Sequence, residues 1–341
     1  MINFCTLFDS YYIDKGLALY ESLHNVCQDF CLYVFCFDDL SFKILNDLEL
    51  KNMIVLSHKN FENSQLLELK KQRSKAEYCW TCTPIIVEYV LDNYNVESCT
   101  YLDSDLYFYS NPSVLFEEIN TFNSDVVVVE HRFDNTKFGK KLEKRNGKYC
   151  VEFNYFSNNS KARNALTWWK ERCLEWCFDI PEEDRMGDQK YLNKFPLLFE
   201  GVHELQHLGG GVAPWNLSQY TLDKQDGKNI ILKTRTGDRF PLVFYHFQNI
   251  RYMPNRKVNL KSLTSDKKVK YSIYIPYLKC IETIRKSLIK EYNLDFNPKK
   301  LVRSSNKIMG FLQSRFAFLK IRHISDILDL DKLDDYGVGY E

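Results

Sequence analysis

The chain has 341 residues, 27% of them charged and 45% hydrophobic, with a formal net charge of +1. That length allows one large α/β domain with an appendage, or two domains, and the near-zero charge balance names no partner. No apolar run approaches the roughly 18–20 residues of a membrane span. The N-terminus lacks a basic region followed by an apolar core, so no signal peptide is expected. The 11 cysteines are scattered through apolar stretches, and Cys79-Trp-Thr-Cys82 has no second pair at zinc-ribbon spacing. They read as reduced core thiols of a cytosolic protein.

Residues 2–8 read as a buried strand, and Asp9-Ser-Tyr-Tyr as a turn. Leu17, Tyr20, Leu23 and Cys27 then recur at helical spacing. A second strand, Cys31 to Phe37, ends in Asp38-Asp39, and a third covers Met53 to Leu56. This alternation predicts a parallel sheet with right-handed crossovers. Ligands of such sheets sit beyond the carboxyl ends of the strands, where Asp9, Asp38 and Asp103 fall. Residues 59–83 are polar, and Thr83-Pro84 is expected to open a helix running to about Asn93. Next comes an apolar run, Cys99 to Tyr109, interrupted by Asp103-Ser104-Asp105. Ser110-Asn-Pro112 caps a helix from Val114 to Ile119, and Asp125 to His131 is another buried strand ending in polar groups. Residues 134–147 are basic with few apolar anchors and are expected to form a mobile loop. Tyr149 to Phe156 returns as a strand, and Leu166, Trp169, Cys173 and Trp176 mark one face of an amphipathic helix.

Gly187-Asp188-Gln189 opens a short helical segment. In His207-Leu-Gly209-Gly210-Gly211-Val-Ala-Pro-Trp215-Asn216, three glycines beside a Trp imply a backbone that something approaches closely. Pro241 to Gln248 is an apolar strand containing His246. Residues 256–323 carry 17 Lys/Arg against 4 Asp/Glu, with helical periodicity from Tyr277 to Tyr292, and the acidic end from Asp326 is expected to fray. A boundary is placed near residue 255, giving domains 1–255 and 256–341.

Two aspartates ending a buried strand are costly unless a cation or hydrogen bonds meet them. Asp-x-Asp suits a hard divalent ion, Mg²⁺ or Mn²⁺. The alternative is that Asp103 caps the turn and Asp105 faces solvent. Taken with Gly187-Asp188-Gln189 and the strand Val243-Phe-Tyr-His246-Phe, in this order, the sequence resembles the GT-A nucleotide-sugar glycosyltransferases. The resemblance is nearest to glycosyltransferase family eight and its bacterial relatives. It covers residues 2–255 and also rests on the opening strand Phe4 to Asp9, the helix Gly16 to Leu23, and Tyr101-Leu-Asp-Ser-Asp-Leu-Tyr-Phe. It implies a GT-A fold, here with a basic, mainly helical C-terminal extension.

The resemblance assigns roles to residues. Asp103 and Asp105 would hold Mn²⁺ or Mg²⁺ against the donor diphosphate, whose negative charge the ion stabilises. His246 would be the third ligand, with His207 as the alternative, because His-x-x-Gly-x-x-Ala-Pro-Trp looks like the family's closing motif. Ala213 stands where that motif carries a phosphate-binding Lys. Asp188 would contact donor-sugar hydroxyls or act as general base, the alternative being a helix N-cap. Gln189 would reach the reacting face, or be plain helix. Thr6, Phe8 and Asp9, with Ser104 beside the aspartates, would seat the nucleotide. Arg73 and Lys75 would bind phosphate or sugar, or be solvated surface charges. Gly209, Gly210, Gly211 and Trp215 would wall the acceptor side, or form an ordinary turn.

The expected activity is hexosyl transfer from a nucleoside diphosphate sugar, a UDP-sugar by resemblance, to a glycan or lipid-linked glycan in bacterial surface polysaccharide assembly. Retention or inversion stays open. A sugar-nucleotide nucleotidyltransferase is the enzymatic rival, but no Gly-rich, basic loop follows the first strand. A non-catalytic sugar-binding protein on the same fold is the other. The basic stretch 256–323 is expected to touch a membrane surface, placing the protein in the cytoplasm or at the inner face of the cytoplasmic membrane. A solvated helical face or a dimer contact explains it equally, and nothing else in the chain points to nucleic acid.

Overall fold

The computed structural model describes residues 1–296 and 326–337. In chain order it begins with β1 (Ile2–Phe8), α1 (Ile13–Val26), β2 (Phe30–Cys36), α2 (Asp39–Leu48) and β3 (Met53–Ser57). Next come α3 (Ser64–Gln72), α4 (Lys75–Asn93), β4 (Ser98–Leu102), β5 (Leu106–Phe108) and α5 (Ser113–Thr121). β6 (Val126–Glu130), α6 (Lys137–Asn146), β7 (Tyr149–Ser157), α7 (Ser160–Glu175), α8 (Phe195–Leu198) and β8 (Val202–Glu204) complete the central layer. These strands, β5 apart, form one sheet in the order β3-β2-β1-β4-β7-β6-β8. β2 is buried along its whole length, as a parallel strand covered on both faces must be.

β1 pairs in parallel with β2 on one side and β4 on the other, so the strand order reverses between β1 and β4. That reversal opens a crevice at the carboxyl ends of the two strands. The central strands pair in parallel as expected from the sequence, and β7 is inserted antiparallel between β4 and β6. Two apolar clusters cover the two faces. One includes Ile86, Val87 and Val90 of α4 with Leu166 and Trp169 of α7. The other includes Leu17, Leu19 and Leu23 of α1 with Leu115 and Ile119 of α5.

β9 (Tyr220–Asp226), β10 (Asn229–Thr234) and β11 (Arg239–Pro241) make a small antiparallel sheet. β12 (Phe244–His246) pairs antiparallel with β5. β13 (Arg251–Met253), β14 (Lys257–Asn259) and β15 (Ile327–Asp329) make a third small sheet, and α9 (Lys267–Tyr292) lies between β14 and β15 in the chain.

Three expectations are corrected. The helix expected to open at Thr83-Pro84 is α4, which starts nine residues earlier at a capping box of Ser74 and Glu77 and carries Pro84 inside it. The mobile loop at 134–147 is α6, whose only buried residue is Gly139. The fraying end is β15, with Asp326 at 2.5 Å from Lys270, both side chains buried. The boundary at 255 falls between the paired strands β13 and β14.

The C-terminal segment is fused to the rest. α9 buries Ile273, Tyr274, Tyr277, Leu278 and Ile281 in a cluster shared with Tyr107, Tyr109, Tyr245 and Phe247. Part of its positive charge is matched within the fold. Arg285 pairs with the buried Asp14, Arg256 with Glu282 and Asp331, and Lys279 with Asp334. Residues 297–323 of the basic stretch lie outside the described residues.

Candidate active site

β4 delivers Asp103-Ser104-Asp105 to the crevice, and β5 leaves it directly. The turn is fixed at both ends. Asp103 N–H donates to the Glu152 carbonyl (3.1 Å), and Phe247 N–H donates to the Asp105 carbonyl (2.9 Å). Because β12 pairs with β5, His246 lies opposite Leu106, next to Asp105. Its Nε2 is 3.0 Å from Asp105 and 3.4 Å from Asp103. Its Nδ1 is 2.7 Å from Glu152 Oε2 on β7. Tyr101 donates to Asp103 Oδ1 at 2.8 Å.

Exposure decides which way this cluster opens. Glu152 is fully enclosed and His246 3% exposed, whereas the side chains of Asp103 and Asp105 keep 28% and 15%. An entering cation therefore meets the carboxylates first. Asp103, Asp105 and His246 offer ligand atoms within 4.8 Å of one another. Two hard carboxylates and one imidazole are a set that Mn²⁺ or Mg²⁺ accepts, and a buried carboxylate holding the other imidazole nitrogen is the usual orienting partner of a ligating His. Cys150, Glu152 and His246 form a second candidate group. Burial, then the charge of Glu152, pushes the Cys150 thiol well up, and a soft sulfur suits a hard ion such as Mg²⁺ or Mn²⁺ less well than a carboxylate does.

Charge crowding is written into the acidities. Burial, followed by the charges of Asp105 and Glu152, lifts Asp103 to about 7 against the pull of His246. Burial would raise Asp105 too, but His246 holds it below the usual carboxylate range. Burial works against a charged His246, yet Asp105, Cys150 and Glu152 together carry it well above the ordinary value. A bound cation would relieve the repulsion between the two aspartates.

The cluster opens into a cavity of about 820 Å³ lined by Asp103, Asp188, Gln189, Trp215 and His246. Asp188 is lifted to about 8, first by burial and then by the charge of Asp103, with the Thr83 hydroxyl opposing. It makes no capping hydrogen bond to the helical turn that follows, and its carbonyl accepts from Trp169 Nε1 at 2.9 Å. Gln189 donates to the Asn146 carbonyl at 3.0 Å, tying the segment to the end of α6.

Other expected residues are placed differently. His207 is not part of the candidate metal group that Asp103 and Asp105 form with His246. Its Nδ1 accepts from Gly209 N–H (3.1 Å), and its own N–H donates to Glu118 (2.8 Å). The three glycines answer to the protein itself rather than to an acceptor. A Cβ on Gly209 would sit 1.9 Å from the Pro241 carbonyl, and one on Gly210 2.7 Å from Leu205. Gly211, at φ +101°, passes beside Val129 and Glu152. Their bareness lets this segment run against β12, where Gly209 C=O accepts from Val243 N–H and Val212 C=O from His246 N–H. Trp215 does line the cavity, its ring centroid 5.4 Å from that of His246.

Arg73 is corrected most sharply. Its guanidinium is buried and donates to the Cys173 and Leu174 carbonyls at the end of α7, both at 2.7 Å, and to Thr81. Lys75 reaches Asp9 at 2.8 Å, and Asp9 also accepts from Tyr11 and Tyr12 N–H. Thr6 is fully buried, and Phe8 packs against Gly16, where a Cβ would be 2.2 Å from its ring. Ser104 is half-buried at the tip of the turn.

Glu152 went unnoticed in the sequence, although a Glu inside the apolar strand Tyr149 to Phe156 is itself a signal. Lys15 was also missed. Its Nζ lies 3.4 Å over the Tyr12 ring, within electrostatic reach of Asp105, and burial pulls it below the ordinary lysine value.

No protein-family profile matches the chain. Two proteins of Bacillus subtilis (strain 168) do. The uncharacterized protein YfnF is 34% identical over 254 residues, 73% of this chain and 81% of its own length. The uncharacterized protein YfnD is 30% identical over 281 residues, 81% of this chain and 87% of its own. The chain belongs to the family of YfnF and YfnD. Among solved structures, the galactosyltransferase LgtC, in complex with donor and acceptor sugar analogs, superposes with a TM-score of 0.51 at 12% identity. The match covers 83% of this chain and 96% of LgtC. The fold is the GT-A fold, an α/β architecture, as the sequence predicts.

Proposed function

We propose that this protein is a metal-dependent glycosyltransferase that moves a hexose from a nucleoside diphosphate sugar, most simply a UDP-sugar, to a glycan hydroxyl in bacterial surface polysaccharide assembly, within the wider circle of glycosyltransferase family eight. The observation that carries this is the convergence of Asp103, Asp105 and His246 at the strand-order reversal, with Asp103 and His246 lining one cavity together with Asp188. The likeness to LgtC supports the reading at the level of fold.

Asp103, Asp105 and His246 would hold Mn²⁺ or Mg²⁺, and Glu152 would keep the imidazole oriented. The ion supplies charge neutralisation for the departing diphosphate. Lys15, over Tyr12 and near Asp105, stands where it would meet the same phosphates, a task for which Ala213 offers no cation. Asp188, kept partly protonated near neutral pH, would hydrogen-bond sugar hydroxyls as donor or acceptor. Trp215 would present an aromatic face to a sugar ring.

Thermal shift with UDP in Mn²⁺, followed by donor hydrolysis over a panel of sugar nucleotides, tests the reading. The expected result is stabilisation by UDP that needs the ion, and hydrolysis of one donor. Binding without hydrolysis of any donor, with or without acceptor glycans, would turn the protein into a sugar-nucleotide binder. Formation of a sugar nucleotide from a nucleoside triphosphate would make it a nucleotidyltransferase.

A further inference from the structure

Of the large apolar side chains exposed among the described residues, Phe138 (61%) and Leu263 (43%) also line the cavity. They come from different parts of the chain, α6 and the connection from β14 to α9. Leu263 has φ +53°, a left-handed conformation that is strained for a bulky residue. The fold thus accepts strain to hold an apolar side chain half-exposed at the mouth. On α6, Phe138 and Leu142 are one turn apart on one face, and both line the cavity. The same ten-residue helix carries Lys137, Lys140, Lys141, Lys144 and Arg145 against a single Glu143. Arg145 has a carboxylate partner, Asp179 at 3.7 Å, and the four lysines have none among the described residues. The helix ends on the catalytic segment, for Lys190 Nζ donates to the Lys144 carbonyl at 2.8 Å and Gln189 to that of Asn146.

We propose that this rim rests on an anionic bilayer. Phe138 and Leu263 enter the headgroup level, and the α6 lysines lie against lipid phosphates. An acidic protein or a soluble polyanion would satisfy the lysines and leave both apolar side chains in water. A second copy of the chain meeting face to face would set lysine against lysine. An anionic lipid surface meets both needs at once. The cavity then opens toward the membrane, and, resting on the glycosyltransferase reading, its acceptor is a lipid-borne glycan. This places the contact on α6, whose apolar Phe138 lines the cavity mouth beside its lysines, rather than on α9, where Lys270, Lys279 and Arg285 are paired within the fold.

Co-sedimentation of the full chain with neutral phosphatidylcholine vesicles, and with vesicles containing phosphatidylglycerol, tests the docking. Wild type is expected to partition to the anionic vesicles at low salt and to leave them at high salt. The double variant Lys140→Ser/Lys141→Ser should lower partition about 25-fold, at about fivefold per lysine. Leu263→Asn, with a residue at ease at positive φ, should melt no lower than wild type and still bind vesicles more weakly. A control pair on α9, Lys286→Ser/Lys290→Ser, should change partition less than twofold. No sedimentation with anionic vesicles, equal sedimentation with neutral ones, or loss through the α9 pair with the α6 variant unaffected would each overturn the proposal. Vesicle failure alongside intact UDP stabilisation would leave sugar transfer standing. Vesicle binding without any nucleotide response would do the reverse.

Discussion

Glu152 shows how much a single buried carboxylate decides. It has no exposed surface, and one of its oxygens is given over to His246 Nδ1. Glu152→Gln keeps the volume and removes the charge. Mn²⁺ affinity, measured by titration calorimetry, is expected to fall roughly 10–100-fold with the fold retained, the range seen for orienting partners of metal ligands. Unchanged affinity would reduce Glu152 to a packing residue. Asp105→Ala should go further, abolishing both ion binding and the UDP response, and full activity in excess EDTA would sink the metal site altogether. His131 carries a separate pH signature. It is buried beside Phe133 and Trp215, and burial drives it down to about 4. Its stabilising contribution is whole above pH 6.5, where both folded and unfolded chains hold it neutral. That contribution is lost as pH falls from 6.5 toward 4, because only the unfolded chain takes the proton, at a cost of about 3 kcal/mol. His131→Phe should therefore flatten denaturant stability over that window relative to wild type, and parallel curves would contradict this. The two aspartates and His246 were legible in the sequence because residue type and strand position both pointed to them. Glu152 was not singled out, since an acid within a strand carries no spacing pattern, and Arg73 was misread because burial is invisible in a polar neighbourhood.

Elements were legible where an apolar periodicity marked them, as in β1, α1, β2, α5 and α7, and lost where it did not. α6 read as a loop because its apolar face is only Phe138 and Leu142, too short a stripe to stand out among five cations. α4 was shortened because Thr83-Pro84 imitates a helix start, while the real cap, Ser74 with Glu77, sits in a charged stretch. The same stretch contains the clamp between α4 and α7. The final carbonyls of a helix lack intrahelical partners, and Arg73 takes those of Cys173 and Leu174. Hydrogen bonds to a charged group are worth about 1.5–3 kcal/mol. Arg73→Met should thus lower the melting temperature by several degrees, while UDP affinity of the folded protein stays within about twofold. Loss of UDP binding at an unchanged melting temperature would return Arg73 to the donor site.

At the scale of the whole molecule, the described part of the basic C-terminal stretch, residues 256–296, is a structural member. Composition alone could not show this, because a charge excess looks the same whether its partners lie across the fold or in solvent. Arg285 finds Asp14 from the first helix, at 2.7 Å. Tyr274 meets the Tyr245 hydroxyl at 2.8 Å, and Tyr277 stacks on Phe247 at 3.8 Å, one residue beyond His246. A chain ending at residue 255 would keep every ligand of the candidate metal site but lose the side chains that back β12. It would expose Tyr107, Tyr109, Tyr245 and Phe247, all buried in the intact fold, and leave the enclosed Asp14 without its guanidinium. Removing one large core side chain costs about 2–5 kcal/mol, and a domain is stable by only about 5–15 kcal/mol. Truncation removes seven such side chains of α9 together. The 1–255 fragment is therefore expected to be aggregated or molten, with no cooperative thermal transition and no UDP response even in Mn²⁺. Circular dichroism melting of the fragment beside the full chain checks this. A monomeric fragment melting near the wild-type temperature would show that α9 merely decorates a complete core, and would restore the boundary at 255 that composition suggested.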